Sequence, residues 1–218
     1  MLFDLDDTLL DRGKAVETMF SLILEKCYED SKPLAKRDML HKFKEYDKRS
    51  YGIRDKTKVL ESFFDDFPPK YRLPRKSIQD FWNTHFPNCF SINQNTIEIL
   101  HTIKRQVKVA IITNGTTHRQ KAKIMNTHLN RCFDTIIISE EVGVWKPDKR
   151  IFELALKKLN VQPEATLFVG DDLEKDIHGC QSANIKGIWF NPHRIENDTE
   201  IRPHSEIHSF ERLLRYTT

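Results

Sequence analysis

The stretch MLFDLDDTLL, residues 1–10, decides how the rest of the chain is read. An apolar start, Met1 to Phe3, runs straight into carboxylates at Asp4, Asp6 and Asp7. Carboxylates held close together repel and are costly to desolvate, so such a segment either leaves them in water or uses them. On an extended segment, residues two apart point the same way, which aims Asp4 and Asp6 at one centre and turns Leu5 away. Asp7 and Thr8 then read as turn formers. Only three residues precede Asp4, against about five in an ordinary strand. A strand here is expected to be short, or to begin upstream of this numbering.

Beyond this start the chain has two textures. From Lys14 to Phe86 the apolar residues recur at helical spacing: Val16, Met19, Phe20, Ile23, Cys27; Met39, Leu40, Phe43, Tyr46; Val59, Leu60, Phe63, Phe64; Ile78, Phe81, Trp82. Breaks at Ser31 to Pro33, Gly52, Pro68-Pro69 and Pro74 divide them into about four helices. From Ile92 onward short β-branched runs alternate with amphipathic segments. The runs are 107–113, 135–139, 166–169 and 187–190; helices are expected near 94–105, 117–129, 148–159, 174–183 and 206–215. Strands alternating with helices imply an α/β fold with a Rossmann-like parallel sheet, into which an all-helical module is inserted. The expected division is a core of 1–12 and 92–218 and a helical module of 13–91.

In an open parallel α/β sheet, ligands bind beyond the carboxyl ends of the strands. At the ends of the runs stand Asp4-x-Asp6, then Thr113-Asn114-Gly115, then a loop ending at Lys146, then Gly170-Asp171-Asp172 with Asp176. Acidic, small polar and basic groups thus gather at four strand ends.

Composition narrows the function. A net charge of +3 is too small to argue for a nucleic acid polymer as partner. Residues 13–91 carry 16 Lys and Arg against 12 Asp and Glu, and the remainder 19 against 20, so the helical module is the basic part. No apolar run approaches the ~20 residues of a membrane span, and no signal peptide precedes the acidic start, so a cytoplasmic location is expected. Cys27, Cys89, Cys132 and Cys180 form no CxxC pair and are expected as buried thiols. The nine histidines show no metal-binding spacing.

FDLDDTLL, IITNG, the lysine of GVWKPD and VGDDLEKD, in this order, resemble the four motifs of the haloacid dehalogenase superfamily. The helical segment after the first motif resembles the cap that one branch of that family carries there. The resemblance implies a phosphatase using Mg²⁺, with Asp4 as nucleophile and Asp6 as general acid and base. It implies phosphate contacts from Thr113 and Asn114, and Lys146 as the cation that neutralises nucleophile and phosphoryl charge. Asp171 would ligate the metal with the Asp4 carboxylate and the Asp6 backbone carbonyl, while Asp176 supports from behind. The implied substrate is a small phosphorylated metabolite or a nucleotide. Asp6 argues against a dehalogenase, because a carboxylate there protonates an alkoxide rather than releasing halide. A sugar-phosphate mutase stands as the enzymatic alternative, and a retired site kept for binding as the non-enzymatic one.

Overall fold

The computed structural model describes residues 1–29 and 33–217. Its contacts divide the chain into two compact units, Arg12–Ser91 and a second formed by Met1–Asp11 with Ile92–Thr218. The first unit is all helical: α1 (Arg12–Cys27), α2 (Pro33–Arg49), α3 (Thr57–Asp66) and α4 (Arg75–His85). Its apolar positions recur every three or four residues, so each helix buries one stripe. Those stripes meet in an aromatic core, where Phe43 lies 5.4 Å from Phe63 and 6.1 Å from Trp82, ring centre to ring centre. Arg12 at the head of α1 is tied to the buried Asp47 of α2 by two hydrogen bonds, at 2.5 and 2.8 Å. The expected break at Ser31 to Pro33 lies mostly outside the described residues.

The second unit is built on a parallel sheet of six strands: β1 (Leu2–Phe3), β2 (Ala110–Thr113), β3 (Thr135–Ile138), β4 (Leu167–Gly170), β5 (Lys186–Phe190) and β6 (Ser205–Ile207). Their order is β3-β2-β1-β4-β5-β6. Leu2 is level with Ala110 of β2 and Phe168 of β4, so β1 occupies the centre although it is two residues long. Asp4 extends its ladder by donating from its backbone N–H to Val169 at 2.9 Å. The run Ala110–Thr113 is buried throughout, as a strand covered on both faces requires. The helices of this unit are α5 (Gln94–Lys104), α6 (Thr117–Asn126), α7 (Ser139–Val142), α8 (Lys149–Leu159) and a π-helical turn (Leu173–His178) that runs into α9 (Gly179–Gln181). Phe152 of α8 meets Phe168 of β4 edge-on at 5.2 Å and seals one face.

Three expectations are corrected. The segment 206–215 is not one helix: Ser205–Ile207 pairs in parallel with β5, and Phe210–Tyr216 is 3-10 helical. The open edge of β5 offers backbone partners and a pocket for Ile207, and this long-range pairing overrides the local helical pattern. The helix expected over 174–183 begins as a π turn, with the Asp172 carbonyl accepting from both Asp176 and Ile177. Finally, α6 ends at Asn126 rather than 129, with Thr127 as its cap. Among the described residues no helix is long and apolar enough to cross a membrane, and all four cysteines are free and buried.

Candidate active site

The sheet order places the carboxyl ends of β2, β1 and β4 side by side, and the polar residues beyond them converge there. Lys146 is the hub. It is 5% exposed, and its ammonium contacts an oxygen of Asp4 and, at 2.6 Å, one of Asp176. Asp176 is 1% exposed; its other oxygen accepts from the Asp172 backbone N–H at 3.1 Å, a contact that the π turn makes within reach. Gly170 permits this approach, since a Cβ there would sit 2.3 Å from an Asp176 oxygen. Asp171 accepts from the Thr8 hydroxyl at 3.0 Å, and its backbone carbonyl takes the indole N–H of Trp189 at 2.8 Å. Thr8 therefore does more than turn the chain. Asp7 holds the left-handed conformation, φ 61°, and its N–H closes the turn onto the Leu10 carbonyl at 2.7 Å.

Oxygen atoms of Asp4, Asp171 and Asp176 lie within 4.8 Å of one another. Burial pushes the Asp4 carboxyl up to about 7, with Lys146 opposing and the Asp176 and Asp6 charges adding. Burial likewise pushes Asp171 up to about 8, helped by Asp4, Asp176 and Asp7. Asp176 is raised by burial as well. Burial works against the Lys146 ammonium too, yet Asp176 and Asp4 hold it above its ordinary value. Two buried carboxyl groups and the half-buried Asp171 against one ammonium leave an excess of negative charge once they ionise. Hard oxygen donors in that state fit a small divalent cation such as Mg²⁺. Asp4, Asp171 and Asp176 are near enough together to share such an ion, and Asp176, expected behind the ligands, also gives one oxygen to Lys146 and the other to the Asp172 N–H.

Asp6 belongs to a different group. Its two oxygens face the Lys123 ammonium of α6 at 2.8 and 2.7 Å, and one of them takes the Gln120 amide N–H at 3.1 Å. The same amide nitrogen donates to the Thr113 hydroxyl at 2.6 Å. Leu5, between Asp4 and Asp6, is fully buried on the other side, as alternation requires. The side chain of Asn114 does not reach toward the carboxylates: it donates to the Lys146 carbonyl and accepts from the Lys146 N–H, both at 2.9 Å, and so fixes the loop that delivers the lysine. Gln120 and Lys123 form no part of the four motifs. They share one face, i and i+3, of the helix that leaves β2, a spacing that by itself does not mark them out.

The chain as a whole has counterparts among known proteins. Residues 1–190 match the family described as haloacid dehalogenase-like hydrolase. A glyceraldehyde 3-phosphate phosphatase of Pyrococcus furiosus is 31% identical over 194 residues, covering 87% of this chain and 79% of its own. Pyrimidine 5′-nucleotidase YjjG of Escherichia coli is 37% identical over 145 residues, 65% of this chain and 64% of its own. The magnesium-bound crystal structure of the HAD-family protein YfnB of Bacillus subtilis superposes with a TM-score of 0.79 at 24% identity, covering 100% of this chain and 97% of that one. The chain belongs to the haloacid dehalogenase-like hydrolase family.

Proposed function

We propose that the chain is a Mg²⁺-dependent phosphatase that hydrolyses small phosphate monoesters through an aspartyl phosphate on Asp4. The observation that carries this reading is Asp4 buried against Lys146 and beside Asp171 and Asp176, with a second carboxylate, Asp6, two residues on. A phosphate monoester dianion repels an anionic nucleophile, so a carboxylate can attack only where cations offset the charge. Lys146 supplies one positive charge to Asp4 and to the arriving phosphoryl oxygens. The metal, held by Asp4, Asp171 and Asp176 and by the Asp6 backbone carbonyl, supplies the remainder when bound. Thr113 and the backbone amides after it hold phosphoryl oxygens. Asp6 gives its proton to the leaving oxygen and then takes one from the attacking water.

In this reading the helical unit is the cap that selects the leaving group, with Arg49, Tyr51 and Arg54 as candidate contacts; Tyr51 is half exposed. A reducing cytoplasmic setting suits four buried free thiols. The test is phosphate release from p-nitrophenyl phosphate and from a panel that begins with triose phosphates and pyrimidine 5′-monophosphates, the compound classes in the relatives' names. Release that requires Mg²⁺ and stops with excess chelator supports the reading. Undiminished release in chelator overturns the metal requirement. Halide release from a 2-haloacid, or interconversion of sugar phosphates without net hydrolysis, replaces the phosphatase with one of the alternatives.

A further inference from the structure

We infer that Lys123 is a positioning residue for proton transfer: from α6 it fixes the Asp6 carboxylate, while Gln120, one turn earlier, joins that carboxylate to the Thr113 hydroxyl. The inference rests on the reading of Asp6 as proton carrier. Lys123 is 4% exposed, and burying a lysine costs both hydration and side-chain freedom. Its nitrogen sits astride the carboxylate, within 2.8 Å of each oxygen, rather than against one edge. A carboxylate held at one oxygen can rotate about its terminal torsion, which is broad and soft. Held at both, and a third time by Gln120 at 3.1 Å, it keeps one plane and one reach.

The Gln120 contact sets the direction of a second hydrogen bond. An amide N–H can only donate, so at 2.6 Å the Thr113 hydroxyl accepts from it. The hydroxyl's own hydrogen is left to be donated forward. Gly115 makes room for this bracket, since a Cβ there would lie 2.9 Å from the Gln120 side chain. Residues 120 and 123 share one helix face, so one element sets both the proton carrier and the hydroxyl.

Protons balance across the two chemical steps. In the first step an Asp4 oxygen bonds to phosphorus as the ester P–O bond breaks. The electron pair stays on the ester oxygen, which takes the proton of Asp6 and leaves as an alcohol. Asp6 is then a carboxylate facing the Lys123 ammonium. In the second step Asp6 takes a proton from a water whose oxygen bonds to phosphorus, and Asp4 and inorganic phosphate are released.

The experiment compares first-turnover rates of the full chain on esters whose leaving groups run from p-nitrophenol to simple alcohols. Good leaving groups need little protonation and poor ones need much, so a displaced proton carrier shows as a steeper dependence on the leaving group. Lys123→Met is expected to lose about ten- to a hundredfold more on alkyl than on aryl esters, a part of the roughly hundred- to ten-thousandfold that positioned proton transfer supplies, since Asp6 itself remains. Asp6→Asn is expected to show the same pattern more strongly. The double variant should be no slower than Asp6→Asn alone, because Lys123 acts through Asp6. Where Lys123→Met does not fold, Lys123→Arg carries the test, with a smaller loss of the same pattern. An equal loss on all esters, or losses that multiply in the double variant, overturns the role of Lys123 while leaving Asp6 in place. A flat dependence in Asp6→Asn overturns both.

Discussion

The two buried lysines of the site face different company. Lys146 is surrounded by Asp4 and Asp176, with Asp171 close behind them, whereas Lys123 lies against the carboxylate of Asp6. Fully ionised, the first group carries two more negative charges than positive; in the second, one ammonium faces one carboxylate. The difference separates two jobs within a few residues of chain. An unbalanced cluster is relieved by a bound cation or by protonation, while an ammonium astride one carboxylate holds that carboxylate in place without either.

The strongest test of that contrast is Asp4→Asn. It should lower turnover by at least about ten thousandfold, more than 5 kcal/mol of barrier, in a phosphate-release assay. It should also leave the metal-free protein no less stable in thermal melts, because it removes one of the three crowded charges. Next is Lys146→Met, which strips the ammonium from the buried carboxylates of Asp4 and Asp176. Removing one partner of a buried ion pair costs about 3–5 kcal/mol, and denaturant unfolding should show a loss of that order without metal, larger than that of Lys123→Met.

A smaller effect is expected for Gly170→Ala. The new Cβ would press on an Asp176 that Lys146 and the Asp172 N–H hold in place. Overpacking of this kind costs about 1–3 kcal/mol, and Mg²⁺ titration by calorimetry should weaken with it. The mildest test is pH. Carboxylates raised to about 7 and 8 bind protons in the folded state that the unfolded chain has already lost. Their contribution is therefore complete below about pH 4 and lost as pH rises toward 8. The metal-free melting temperature should fall across that window, and added Mg²⁺ should raise it more at pH 8 than at pH 5. A Mg²⁺ effect independent of pH would contradict the excess charge.

Asp4 and Asp171 were legible because they lie just past strands and Thr113 because it ends one, and a parallel sheet gathers the residues at its strand ends; Lys146, eight residues beyond β3 and after α7, was legible through its motif alone. Lys123 and Gln120 were not. They sit in THRQKAKIMN beside His118, Arg119 and Lys121, and nothing local separates the buried Lys123 from the exposed Lys121. Only the pairing of β1 with β2 brings that helix face to Asp6. Asp176 stood out in the sequence, but its rank among the carboxylates depends on the π turn, whose extra residue no helical periodicity reveals. The strand Ser205–Ile207 escaped for a similar reason: three residues carry no period of their own, and the edge of β5 supplies what they lack.

The reciprocal amide pairing of Asn114 with Lys146 bears on how the protein ages. An asparagine before a glycine deamidates when the next backbone nitrogen attacks the side-chain carbonyl. Here the Gly115 nitrogen is occupied, donating to the Ser139 hydroxyl at 3.0 Å, and both ends of the carboxamide are bound. The folded chain therefore shields its own weakest covalent point. Damage should enter through the unfolded fraction, where an aspartate formed at position 114 would turn a donor into a second acceptor against the Lys146 carbonyl and leave the refolded chain with a misplaced lysine.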